Sequence, residues 1–170
     1  STHLNAPVYI VHMADKEGLE ACIKAKEEGH ELYVETCPQY LEFTCDVYKR
    51  EDGRNFVCSP PMKGEESRDA LWTALKSGFI DTVATDHCPF QSYEKDWGKD
   101  DFTKIPNGCA GVENLYPYML DAANSGKITF EKVVEVCATN VARIFGCENK
   151  GEIAVGKDAD IVIYDRDKNF

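Results

Sequence analysis

Two hydrophobic periods alternate along this chain. Residues 7–12, PVYIVH, are a short apolar run rich in β-branched and aromatic side chains, which predicts a buried strand ending at His12. Apolar positions then recur at helical spacing, with Leu19, Cys22 and Ile23 on one face, Asp15 placed to cap the amino terminus and Gly29 to end the helix. Residues 30–37, HELYVETC, predict a second strand. A segment rich in turn residues follows, with EDGRN at 51–55 and SPP at 59–61. Helical spacing returns from Glu65 to Lys76, carrying Leu71, Trp72 and Leu75 and stopping at Gly78, and a third apolar run from Phe79 to Thr85 predicts a third strand.

Helix-length crossovers between short apolar strands imply a parallel sheet and an α/β fold. A long loop, 86–110, precedes two further helices, about 112–125 and 130–145. Pro117 implies a kink or late start in the first, and Thr129 is placed to cap the second. The final pattern, GEIAVGKDADIVIYD at 151–165, predicts two short strands around a turn at Gly156 to Ala159, in a sheet separate from the first three strands.

Composition narrows the function classes. The 170 residues carry a formal net charge of -11, which argues against nucleic-acid and anionic-membrane partners, because phosphate repels such a surface. No apolar run approaches a membrane span, and no signal peptide opens the chain, which begins at Ser1 and reads as a piece of a longer protein. The eight cysteines are all isolated, without a C-x-x-C pair, and several lie in apolar segments. They read as reduced core thiols of a cytoplasmic protein rather than as a disulfide framework.

In parallel α/β folds, functional side chains gather at the carboxyl ends of the strands. His12 and Asp86 occupy equivalent places, each the first strongly polar residue after an apolar strand, and both residue types ligate Zn²⁺ or a similar divalent ion. Each also has a plainer explanation: a histidine closing a strand, and an aspartate forming a turn before His-Cys-Pro. Spacing alone leaves Asp86 open between metal ligand and turn residue. Two ligands are also fewer than a catalytic zinc requires. His87 falls on the opposite side of a continued pleat and is at most a support for a site, while His3 and His30 precede strands, at the wrong end. No nucleophile elbow, phosphate-binding loop or dinucleotide fingerprint is present.

Six blocks in order carry a specific resemblance: VYIVH (8–12), ETCPQYL (35–41), CSPP (58–61), TDHCPF (85–90), DFTKIPNG (101–108) and KGEIAVGKDADIVIYD (150–165). Together they resemble the carboxyl-terminal half of the hydantoinase/dihydropyrimidinase family within the amidohydrolase superfamily. Gln39, Cys88 and the intact DFTKIPNG block resemble these enzymes more than allantoinases. The resemblance implies a partial (β/α)8 TIM-type barrel, with the three strands as strands six to eight over residues 1–149. It also implies that residues 150–170 are the carboxyl-terminal strands of a small β-sandwich.

The same resemblance implies metal-dependent hydrolysis of a cyclic amide, a hydantoin or dihydropyrimidine, at a binuclear centre of two zinc ions in a homo-oligomer, a tetramer in the family. His12 matches a metal ligand and Asp86 a residue that both ligates metal and moves a proton. Ser59 and Asn107 match positions whose main-chain groups hold the substrate ring. The family's H-x-H pair, carboxylated lysine, strand-five histidine and oxyanion-stabilising tyrosine have no counterpart in this sequence. The resemblance therefore implies an incomplete site and an inactive isolated chain. A non-catalytic scaffold of the same family is the alternative; the presence of His12 and of the TDHC block favours the enzyme.

Overall fold

A computed structural model describes residues 6–167. Three parallel strands form one sheet in the order β1-β2-β3: β1 (Val8–Ile10), β2 (Leu32–Thr36) and β3 (Thr82–Val83). Val8, Tyr9 and Ile10 pair with Leu32, Tyr33 and Val34, and Glu35 and Thr36 pair with Thr82 and Val83. Each strand is shorter than its apolar run. Ladder-type hydrogen bonds nevertheless continue past β3 at both ends, from Asp81 N–H to the Val34 carbonyl (2.8 Å) and from Ala84 N–H to the Thr36 carbonyl (3.0 Å).

Helices supply the crossovers that parallel pairing demands. Helix α1 (Lys16–Glu27) links β1 to β2, and Asp15 caps it by accepting from Gly18 N–H at 2.7 Å. Between β2 and β3 run the short α2 (Pro38–Glu42), two 3-10 turns and α3 (Glu65–Ser77), which Gly78 ends with φ +84°. Val34, Leu41, Leu71, Leu75 and Ile80 are among the most completely buried side chains and make a helix-on-sheet core. Trp72 joins it and donates Nε1–H to the Leu41 carbonyl at 2.7 Å, which satisfies the indole's one polar group.

The other face of the sheet is different in kind. Register places Tyr9, Tyr33, Glu35 and Thr82 together there, alternating with Val34, Thr36 and Val83. Tyr9 Oη donates to Glu35 Oε2 at 2.7 Å and lies 2.6 Å from Thr82 Oγ1. Burial, before any neighbouring charge, pushes the Tyr9 phenol well above its ordinary range. This face is held by a polar network rather than by hydrocarbon.

Beyond β3, the long loop contains α4 (Ser92–Lys95) and two 3-10 turns. Helix α5 (Leu115–Asn124) starts late enough to put Pro117 in its first turn, where a missing N–H costs nothing. The single helix expected over 130–145 is instead α6 (Phe130–Val134) and α7 (Asn140–Ile144), joined by a π-helical turn, Glu135–Thr139. Thr129 caps α6 as expected, accepting from Lys132 N–H at 3.1 Å. Beyond the π turn, Asn140 Nδ2 donates to the Asp81 carbonyl at 2.8 Å and ties this helix to the start of β3.

The two strands expected within 151–165 are not formed. Among the described residues this segment makes no ladder, and Ile153, Val155, Ile161, Val162 and Ile163 are exposed. A turn forms two residues earlier than the expected Gly156 to Ala159, with Gly156 at φ +89° and Lys157 N–H donating to the Ala154 carbonyl at 3.2 Å. A strand pattern specifies which side chains alternate, but the backbone also needs a partner edge, and none within 6–167 reaches this segment.

Candidate active site

His12 and Asp86 share one backbone peculiarity. They are the non-glycine residues with positive φ among the described residues, at +40° and +47°. Left-handed backbone costs a side-chain-bearing residue about 1–2 kcal/mol, and histidine and aspartate are enriched among the exceptions. Each lies just past the carboxyl end of its strand, β1 or β3. The turn of the backbone breaks the pleat there, so strand parity no longer decides where the next side chain points.

The sheet order puts β2 between these two positions, so they stand roughly 10 Å apart across two strand spacings. Glu35 of β2 lies at the His12 end, where its Oε1 accepts from His12 N–H at 3.2 Å. Met13 N–H donates to the Glu35 carbonyl at 2.7 Å. Asp86 is exposed above buried weak acids whose protons its charge helps to retain. Cys37 and Tyr40 are pushed above their ordinary ranges, first by burial and then by neighbours that include Asp86. Gln39, which is buried, reaches toward the Thr85 carbonyl at 3.5 Å beside it.

His87 braces this corner. Its Nδ1 accepts from Gly111 N–H (3.0 Å) and Val112 N–H (3.2 Å), and the residue bridges in parallel to Cys109. The carboxyl end of β3 is thereby fixed against the loop that leads into α5. His30 sits at the start of β2, far from this rim, with Nε2 4.0 Å from Glu28 Oε2. His3 lies outside the described residues.

Ser59 and Asn107, 48 residues apart in sequence, meet directly. Ser59 Oγ donates to Asn107 Oδ1 at 3.0 Å, and both line a cavity of about 520 Å³ with Tyr48, Cys58, Phe102 and Ile105. His12 and Asp86 do not line that cavity. Tyr40 Oη supports the Ser59 loop by donating to the Pro60 carbonyl at 2.9 Å. Cys58, next to Ser59, is lowered to about 7, first by a hydrogen bond from Cys109, whose own thiol is pushed up by the same bond.

Beneath this pair lies a residue that the sequence did not single out. Lys95 is 3% exposed, and its Nζ donates to the carbonyls of Val57 (2.9 Å), Pro106 (2.5 Å) and Gly108 (2.8 Å). The loop packs so closely that Gly108, at φ +149°, has no room for a side chain: a Cβ there would meet the Cys88 carbonyl at 2.5 Å.

Comparison with known proteins decides what this arrangement belongs to. The pattern of the amidohydrolase family matches residues 5–169. This chain is a member of the amidohydrolase family. It is 42% identical over 167 residues to the D-hydantoinase of Ralstonia pickettii, covering 95% of the chain and 36% of that relative. A D-phenylhydantoinase of Escherichia coli is 41% identical over 164 residues, again across 95% of the chain. Among solved structures, the dihydropyrimidinase of Brevibacillus agri superposes with a TM-score of 0.87 at 40% identity over 91% of the chain, and the L-hydantoinase of Arthrobacter aurescens with 0.86 at 33% identity over 93%. The small parallel sheet and its helices are thus a hydantoinase-like α/β arrangement. The chain spans about a third of the length of these relatives, 36% of the first and 35% of the Brevibacillus structure.

For a metal, this amidohydrolase segment offers a partial fit. Imidazole and carboxylate are suitable donors at the suitable rim, but among the described residues no three His, Cys, Asp or Glu side chains converge to hold an ion. No helix among those residues is long and apolar enough to cross a membrane.

Proposed function

We propose that this chain supplies one portion of a metal-dependent cyclic amidohydrolase that opens hydantoin or dihydropyrimidine rings. β1, β2 and β3 serve as strands six, seven and eight of a (β/α)8 barrel formed with residues outside this chain. Residues 1–149 belong to that barrel, and 150–170 to a β-sandwich, whose missing strands would cover the exposed Ile153, Val155 and Ile161 to Ile163. The observation that carries the reading is the shared left-handed backbone of His12 and Asp86 at the carboxyl ends of parallel strands in a member of this family. Strain of that kind persists only where the surrounding structure over-determines it, and it clusters at active sites.

In this reading His12 and Asp86 are two ligands of a site completed by donors outside the chain, with zinc as the metal. A bound divalent metal supplies Lewis acidity toward the ring carbonyl and the attacking water. The chain's own residues do the rest. The Asp86 carboxylate takes the proton of the attacking water and delivers it to the leaving ring nitrogen, so that nitrogen departs as a neutral amide group. Main-chain groups at Ser59 and Asn107 fix the ring's amide edge, and this orientation lowers the entropy lost on the way to the transition state. The complete enzyme is cytoplasmic and a homo-oligomer. Ring opening followed by ultraviolet absorbance, on the 170-residue chain and on the complete enzyme with metal content measured in parallel, tests the reading. The complete enzyme turns over and the isolated chain does not; hydrolysis by the monomeric isolated chain would contradict it.

A further inference from the structure

We propose that Lys95 is a positioning residue for the substrate: its ammonium sets the spacing and the peptide orientation of the two loops that carry Ser59 and Asn107. The inference rests on the reading above, in which those two residues hold the cyclic amide. Lys95 closes helix α4, and its three N–H groups meet three carbonyls, those of Val57, Pro106 and Gly108. This is the full donor complement of an ammonium. Val57 lies two residues before Ser59, and Pro106 and Gly108 flank Asn107. One cation therefore holds the base of the first loop and both sides of the second.

The direction of these bonds matters as much as their number. A trans peptide unit is planar, with its carbonyl and the following N–H pointing opposite ways. The Pro106–Asn107 bond is trans. Aiming the Pro106 carbonyl inward at Lys95 therefore aims Asn107 N–H away from it, out of the loop's interior. Two further bonds run between the same loops: Gly108 N–H to the Val57 carbonyl at 3.0 Å, and Ser59 Oγ to Asn107 Oδ1 at 3.0 Å. Close contact completes the fit, since a Cβ on Gly98 would stand 2.5 Å from the Ile105 nitrogen. Phe90 offers its ring 5.2 Å from the ammonium. Burial is the first cause lowering the lysine from its ordinary range, and the charges that act back on it come from Cys109, Cys58 and Cys88, with no carboxylate among them. A hydrocarbon side chain would fill this space without that burden, but would leave three carbonyl directions unset.

The test is Lys95→Met, read in two ways. In the 170-residue chain, amide hydrogen exchange in peptides spanning 56–61 and 105–110 becomes at least about tenfold faster, while α1 and α3 keep their protection. In the complete enzyme, KM for the cyclic amide rises about tenfold or more, kcat changes much less and metal content is unchanged. Lys95→Arg gives the same KM rise, because a planar guanidinium cannot converge on three carbonyls around one point. Unchanged exchange, or KM within about twofold of the parent in an active enzyme, would overturn the assignment. A metal-replete parent enzyme that opens no hydantoin or dihydropyrimidine ring would instead overturn the functional reading on which it rests. Should neither variant fold, slowly exchanging Nζ protons of Lys95 in the unaltered chain are the expected signature, and their absence contradicts the clamp.

Discussion

At the amino-terminal rim of the sheet, Asp81 accepts from Lys26 Nζ at 2.5 Å and from Val34 N–H at 2.8 Å, and Lys26 also donates to the Phe79 carbonyl at 2.8 Å. At the carboxyl-terminal rim, His12 and Asp86 are held in left-handed backbone, and no cluster of donors among the described residues completes a site around them. The same three strands thus end in mutual satisfaction on one side and in strain with unused bonding capacity on the other. Side chains at the first rim are expected to contribute stability, and side chains at the second to withhold stability in exchange for chemistry.

Substitutions can break this contrast. The largest stability effect belongs to Asp81→Ala, which strands a mostly buried ammonium and an N–H; a loss of about 3 kcal/mol is expected from urea denaturation of the chain. Tyr9→Phe removes the phenol that bonds Glu35 and Thr82, and is expected to cost about 1 kcal/mol in the same measurement. His12→Gly runs the other way. Relief of left-handed strain, partly offset by glycine's greater chain entropy, leaves the chain unchanged or up to about 1 kcal/mol more stable. A loss above that size would place His12 with the stabilising rim and dissolve the contrast.

Legibility in the sequence followed the range of the forces involved. β1, β2, β3, α1 and α3, the Asp15 and Thr129 caps and the late start forced by Pro117 are local matters of period, capping and ring geometry. All of them could be read as elements, though the strands are shorter than their apolar runs and Pro117 left a kink and a late start both open. The candidate ligands His12 and Asp86 were visible as the first polar residues after strands, though their positive φ was not. Lys95 was invisible, because a lysine within EKDWGKDD reads as solvated, and only the convergence of residues 57, 106 and 108 around it makes it buried. The π turn after α6 leads into Asn140, whose tertiary bond to Asp81 at the start of β3 no local pattern announces. At 151–165 the alternation was read correctly as strand-like, yet a strand needs an edge, and the described residues contain none for it.

Asp86 carries the central claim, since it alone is assigned both a metal and a proton. The direct measurement is Asp86→Asn in the complete enzyme, with ring-opening kcat, metal content and a thermal unfolding curve taken on one preparation. The expected result is a kcat lowered by at least about three orders of magnitude, consistent with loss of a general acid-base group and of a charged ligand, in a protein that still unfolds cooperatively at the parent's temperature or above. Parent-level kcat with full metal content would contradict the account.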